Sequence, residues 1–491
     1  MSMFDKNVSL YSAEQSRAID ELALEHLNVG SGVLMERAAR FAFDVALNRW
    51  PNMKSVSVFA GKGNNAGDAF LFAGLAQEYG IKVQLFTMVD LSELNEGAKS
   101  AYEEIDISLL QKELSLNNIS GDLIIDGLIG TGLKGRVDGD FAEAIRFIND
   151  SCVPVLSLDI PSGVNASTGA VVNDAVMAEI TTTFISHKIG LRVGKGRVHS
   201  GEIKMDSLGV PETLLSALPG IELSVFQRTQ LPPLPSDTYK NRQGHLLIIG
   251  GDKGMPGSIL MAAEAALRSG AGLVTVATRE EHLSLVVSRI PEVMVMKAGA
   301  EELSRNYSKY DAVLIGPGLG RNEWGKALYK VCLDWKMPLI VDADGLFWMA
   351  TEGRSVSETV IVSPHVGEAA SLLGVDSNLI ELDRIESAKK IRTKFRAIGV
   401  VKGPGSVVFG REKISICEHG NPGMAAAGMG DVLSGIIGGF VAQKAVDIDA
   451  CLEIAVLLHS AAADEAANEL GQRSLMATDV IKFLPKVLQG E

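Results

Sequence analysis

GMGDVLSGIIGGF, Gly428 to Phe440, reads first as a turn and then as a helix. Glycine and small positions lead directly into an apolar run that only a helix accommodates. The turn therefore ends at a helix N-terminus, where unpaired N–H groups and the helix dipole favour an anion. Asp431 stands at that same place. Amide groups can steady developing negative charge while a neighbouring carboxylate takes a proton from an attacking hydroxyl. The second half of the chain is thus expected to handle phosphate.

Working outward, strand-like and helix-like runs alternate from end to end, the pattern of α/β folds built on parallel sheets. SVSVFA (Ser55–Ala60), KVQLFTM (Lys82–Met88), DLIID (Asp122–Asp126), PVLSLD (Pro154–Asp159) and TTTFI (Thr181–Ile185) are short, apolar or β-branched runs. Ser12 and Gln15 stand at capping-box spacing before a helix with Ile19, Leu22, Ala23 and His26 on one face. LPPLP (Leu231–Pro235) with the polar stretch after it marks a domain boundary. Domains are expected over 1–225 and 226–491. After the break the alternation restarts with HLLIIG (His245–Gly250), GLVTVAT (Gly272–Thr278), DAVLIG (Asp311–Gly316), PLIVDA (Pro338–Ala343) and TVIVS (Thr359–Ser363). VVKG and SVVFG, split by GPG, read as an antiparallel pair, so the second sheet is expected to be mixed. Helices from Asp431 and from about Ile448 close the chain.

With 491 residues, two or three domains are expected, and 46% apolar residues suffice for large cores. Net charge is −14, which argues against nucleic-acid or anionic-membrane partners. Cys152, Cys332, Cys417 and Cys451 are far apart, and buried reduced thiols in a cytoplasmic protein are expected. The N-terminus has no apolar signal-like region, and no apolar run is long enough for a membrane span.

Three glycine-bearing loops follow strands in the first half. GKGNNAGDAF (Gly61–Phe70) satisfies G-x-G-x-x-A. The acid expected after the next strand is badly placed, Asp90 being late, and Asn64-Asn65 is unusual there. A different phosphate-binding use of the strand–loop–helix is favoured over an NAD fingerprint. DGLIGTGLKGR (Asp126–Arg136) offers glycines for close backbone approach, with Lys134 and Arg136 for charge. LDIPSGVN (Leu158–Asn165) puts Asp159 at a strand end. Ligands of open parallel sheets sit beyond strand carboxyl ends, so the three loops should converge.

In order and spacing, these three motifs resemble the NAD(P)H-hydrate epimerase family over about residues 10–215. The resemblance implies a Rossmann-like three-layer domain and a potassium ion held by Asn65, Asp126 and Ser162. It also implies substrate contacts from Asn64, Asn65, Ala66, Gly67 and Asp68 and from Gly130, Thr131, Gly132, Leu133, Lys134, Gly135 and Arg136. Asp159 would act at the reacting carbon. The family usually reads NNGGDG; here Ala66 and Ala69 replace two glycines, a strain if position 66 needs positive φ.

In the second half, GGDKGMPGS (Gly250–Ser258), IGPGLGR (Ile315–Arg321), VDADGL (Val341–Leu346), SPHVGEAASLLG (Ser363–Gly374), VVKGPGS (Val400–Ser406) and NPGMAAAGMGD (Asn421–Asp431) complete the set. Together they resemble the ADP- or ATP-dependent NAD(P)H-hydrate dehydratase of the ribokinase-like superfamily, over about residues 235–490. The resemblance implies a three-layer domain with a mostly parallel sheet and Asp431 as the base that deprotonates the C6 hydroxyl. Gly257, Gly318 and His365 match the hydrate side. Lys402, Gly403, Pro404, Gly405, Ser406 and Gly430 match the nucleotide side, with Mg²⁺ accompanying ADP or ATP. His459, in an apolar helical stripe, reads as core. The expected substrates are the NADH and NADPH hydrates, with ADP favoured as nucleotide, in a homo-oligomer. The rival is a small-molecule kinase of a vitamin precursor with an accessory N-terminal domain.

Overall fold

The computed structural model describes residues 7–105, 110–111, 121–231, 233–234, 236–353 and 360–489. By contact the chain separates into two compact units, one of them Ser9–Ile221 and the other the rest of the described chain. Pro232 and Pro235 of the expected boundary, and Thr359 of TVIVS, lie outside the described residues.

In the first unit seven parallel strands lie in the order 110–111, 82–87, 55–60, 123–127, 155–158, 180–184, 202–206. Alternate residues of each strand feed opposite faces. Val56, Val58, Leu85, Leu123 and Ile125 pack with helices Ser31–Arg49 and Asn64–Glu78. Phe59, Phe86 and Ile124 pack on the other face with helix Gly139–Asp150. Period-two side chains buried on both faces make the middle layer of a three-layer unit. Helix Ala13–Leu27 opens on the Ser12–Gln15 capping box, both halves of which form.

In the second unit the parallel order is 294–297, 273–278, 245–249, 312–315, 339–341, 360–362, 398–401. Strand Val407–Phe409 then runs antiparallel to both Ile398–Val401 and Ile414–Cys417, so this sheet is mixed. Leu246, Ile248, Val274 and Leu314 face helices Pro256–Arg268, Met429–Gln443 and Ile448–Leu470. Their neighbours Leu247, Ile249 and Val313 are equally buried. Each such side chain taken from water is worth about 1.5–3 kcal/mol.

Two expectations are corrected. Cys152 is exposed, in a left-handed turn with φ 57°, while Cys332, Cys417 and Cys451 are buried. The turn follows a helix end and presents its side chain outward. Ala66 carries no positive φ; it sits in the first turn of helix Asn64–Glu78, fully buried, where alanine is the favoured residue. Among the described residues no helix is long and apolar enough to cross a membrane.

Candidate active sites

In the first unit the loops after three neighbouring strands meet at a cavity of about 650 Å³. Asn64, Asn65, Asp68, Gly130, Thr131, Gly132, Leu133, Lys134, Arg136 and Asp159 all line it. Ala66 and Gly67 do not. Both turn into the core, and a Cβ on Gly67 would lie 2.4 Å from Met35 Sδ. Gly135 is not among the lining residues either; its φ of 80° makes the turn between Lys134 and Arg136.

Asp126 and Ser162 stand behind this wall. Asp126 is fully buried, and its Oδ1 accepts from Ser162 Oγ at 2.5 Å. Its Oδ2 accepts from the Ser162 amide at 2.9 Å and from Ser157 Oγ at 2.8 Å. Burial pushes this carboxyl above the usual range, and the Ser162 bonds pull the other way. No cation pairs with Asp126 among the described residues. Asn65 lies against Gly130, and its Oδ1 and Nδ2 are buried with no partner. Unsatisfied buried amide atoms are costly, so a group that fills this place is needed.

Asp159 follows strand Val155–Leu158 with φ 62°, a strained setting for a non-glycine residue. Its Oδ1 accepts from Lys188 Nζ at 2.5 Å and from Thr183 Oγ1 at 3.3 Å. Lys188 is buried and also donates to Thr183 Oγ1 and the Phe184 carbonyl. Lys188 and Asp20, both lining the cavity, escaped sequence reasoning. Neither belongs to a glycine motif; only the fold brings them to Asp159.

In the second unit the charged centre forms where helix Met429–Gln443 begins. Gly428 is the N-cap with φ 87°, and a Cβ there would meet Met261 Sδ at 2.5 Å. Asp431 stands in the first turn and bonds to Ser258. Burial first, and the Asp342 charge second, push its carboxyl up to about 6. Lys402 Nζ lies 3.1 Å from Asp342 Oδ1 and 3.8 Å from Glu368 Oε2. Burial opposes the charge on Lys402, but the two carboxylates more than offset it and raise its proton affinity. Glu368 is pushed up to about 7, by burial first. A Cβ on Gly430 would lie 3.2 Å from Lys402 Nζ and 3.7 Å from Asp342 Oδ2, which places this glycine against both charged groups.

The remaining residues gather round this centre or stiffen its rim. His365 is the N-cap of helix Val366–Leu373, its Nδ1 accepting from the Gly367 and Glu368 amides. Its ring stays largely exposed. Gly318, with φ 56°, packs close to Met255 and Ser258, next to Gly257 at the start of helix Pro256–Arg268. Gly403, Pro404, Gly405 and Ser406 form a tight turn in which Ser406 Oγ bonds the Gly403 carbonyl at 3.1 Å. Arg384 braces that turn through the Pro404 carbonyl. His459 is buried and bonded to the Met429 backbone. Asp342 carries no glycine-turn signature of its own, and sequence reasoning passed over it; VDADGL at a strand end was the available signal.

A glycine turn at a helix N-terminus, with a carboxylate and a lysine beside it on a mostly parallel sheet, defines a phosphoryl-handling α/β enzyme. Here it is joined in one chain to a second α/β unit with a charged cavity of its own. Family models match both halves: NAD(P)H-hydrate dehydratase over residues 246–486 and YjeF-related protein N-terminus over 31–190. The chain is 40% identical to the bifunctional NAD(P)H-hydrate repair enzyme Nnr of Coxiella burnetii, over 97% of this chain and 98% of that protein. It is 37% identical to the Escherichia coli enzyme of the same name, over 98% and 94%. Among solved structures, an ADP/ATP-dependent NAD(P)H-hydrate dehydratase from Bacillus subtilis, co-crystallized with ATP/Mg²⁺, superposes with TM-score 0.50 and 30% identity. That match covers 53% of this chain and 95% of the other. The chain belongs to the bifunctional NAD(P)H-hydrate repair enzyme family.

Proposed function

We propose that the chain repairs hydrated NADH and NADPH in two independent steps. The first domain interconverts the R and S hydrates at C6. The second dehydrates the S form with ADP, releasing AMP and phosphate. The observation that carries the reading is Asp431 held beside the Gly428–Gly430 turn with Lys402 and Asp342 within reach. Asp431 takes the C6 hydroxyl proton as that oxygen attacks the terminal phosphorus of ADP, and the turn amides and Lys402 bear the negative charge. The phosphate ester is a good leaving group. The ring nitrogen lone pair expels it, loss of a C5 proton follows, and the dihydronicotinamide is restored. Gly257, Gly318 and His365 bind the hydrate; Lys402 to Ser406 and Gly430 bind the nucleotide. Mg²⁺ needs only one or two protein carboxylates besides phosphate oxygens, and Asp342 would supply a hard oxygen there. When bound, the ion neutralises phosphate charge.

In the first domain Asp159 is the acid/base group at C6. Asn64 to Asp68 and Gly130 to Arg136 hold the nucleotide, Ala66 and Gly67 through backbone alone. Asn65, Asp126 and Ser162 suit a potassium ion. The buried Asp126 charge lacks a counterion and the Asn65 carbonyl lacks a donor, and one alkali cation would satisfy both. When bound, that ion supplies positive charge behind the phosphate-binding loops.

The test is incubation of mixed R and S hydrates with ADP in potassium buffer, following the near-ultraviolet absorbance of reduced nicotinamide. Complete recovery with one phosphate released per nicotinamide is expected. A stable phosphorylated product would instead make the second domain a small-molecule kinase. In sodium buffer the R fraction should recover more slowly; equal rates would remove the ion from the scheme.

A further inference from the structure

Asp159 is not the only carboxylate at the reacting end of the cavity. Asp20, on helix Ala13–Leu27, and Asp68, on helix Asn64–Glu78, line the same walls. Lys188 lies in contact with Asp159, and its charge also reaches Asp20 and Asp68. Asp68 is buried, whereas Asp20 is exposed.

Inversion at C6 by loss and return of water needs two proton-transfer groups. The departing oxygen must be protonated, and the returning water must be deprotonated. We propose that Asp20 is the acid of the epimerase, donating to the leaving C6 hydroxyl, while Asp159 receives the proton of the water that returns. This rests on the first domain being the epimerase. The ring nitrogen lone pair forms the N1=C6 bond as the C6–O bond breaks, and the Asp20 proton turns the departing oxygen into water. A water then adds to the other face of C6, its proton passes to Asp159, and the lone pair returns to N1. No oxidant or reductant takes part. The reverse reaction exchanges the two roles, and the open side of Asp20 lets protons equilibrate with solvent between turnovers.

Lys188 sorts the two acids by position. It holds the Asp159 carboxylate at 2.5 Å and leaves Asp20 without a contact cation in the ion pairs of the described residues. Asp20 is exposed at the cavity, and the protein atoms around it still push its carboxyl up to about 7 by desolvation. Lys188 opposes this, the Asp159 and Glu21 charges add to it, and Arg17 opposes it. Asp68 is the remaining charged neighbour and is itself pushed well up by burial. The contact with Lys188 is made by Asp159 alone, so the two carboxylates stand in different settings within one cavity.

The experiment compares wild type, Asp20→Asn, Asp20→Glu and Asp159→Ala in the full chain. Epimer interconversion is followed by chromatography across pH, and dehydration of pure S hydrate shows that each chain is folded. Asp20→Asn should lower the epimerase kcat by about 10²–10⁴-fold with KM little changed. Wild type should lose rate above neutral pH; Asp20→Asn should abolish that fall, and Asp20→Glu should restore both rate and limb. Solvent ¹⁸O should enter C6 as the epimers interconvert. Asp20→Asn with near-normal kcat, or with the alkaline limb intact, overturns the proposal, as does full retention of the C6 oxygen. Near-normal epimerisation by Asp159→Ala would strike the reading of the site itself; its loss alongside an active Asp20→Asn strikes Asp20 alone.

Discussion

Asp431 gains its chemistry from its surroundings rather than from its own type. Burial and the nearby Asp342 hold its proton affinity up to about 6, within reach of a hydroxyl that must be deprotonated. The base works ionised, and a raised affinity means the ionised form is lost as pH falls through that value. Dehydration of S hydrate should therefore rise through about pH 6 and level off above it, as stopped-time assays across pH will measure. Asp431→Asn should cut the rate by about 10²–10⁴-fold while ADP binding by calorimetry changes little. Near-normal turnover would exclude Asp431 as base. The same acid, read in sequence from the turn before it, was legible because glycines at a helix start have few other uses. Asp342 was not, because its significance is its distance to Lys402.

At the scale of the element, helix Met429–Gln443 must lie very close to helix Pro256–Arg268. A Cβ on Gly435 would sit 2.2 Å from the Ala262 carbonyl oxygen, and one on Gly439 2.3 Å from Ser269 Oγ. Gly435 and Gly439 are thus contact points with the neighbouring helix and its C-cap, and their effect reaches the site because the helix start carries Asp431. Gly435→Val should separate the pair and destabilise the second domain by about 1–3 kcal/mol. A lowered urea midpoint would show it, with loss of dehydration before epimerisation. An unchanged midpoint would mean that the helices shift at no cost. The helix itself was plain in the sequence; the reason for its glycines was not, since the partner lies far away along the chain.

For the whole molecule, each unit holds a complete set of charged groups within its own described residues. Asp159→Ala should lose epimerisation and keep dehydration, while Asp431→Asn should do the reverse. An equimolar mixture of the two variants should then recover the full R and S pool. Recovery of only the S share, monitored by absorbance, would mean that hydrate does not pass freely through solvent between active sites.

The sequence by itself determined the alternation of strands and helices, the mixed second sheet and the glycine turns at strand ends. These follow from local periodicity, capping and backbone freedom, which act over a few residues. Ala66, however, was suspected of strain and proved an ordinary helical residue, because a loop motif does not state where its helix begins. Only the tertiary structure decided that Lys188 pairs with Asp159, that Asp20 shares their cavity, and that Lys402 lies between Asp342 and Glu368. Charge interactions depend on distance and desolvation, and residues 29 or 139 positions apart acquire both only after the sheets have formed.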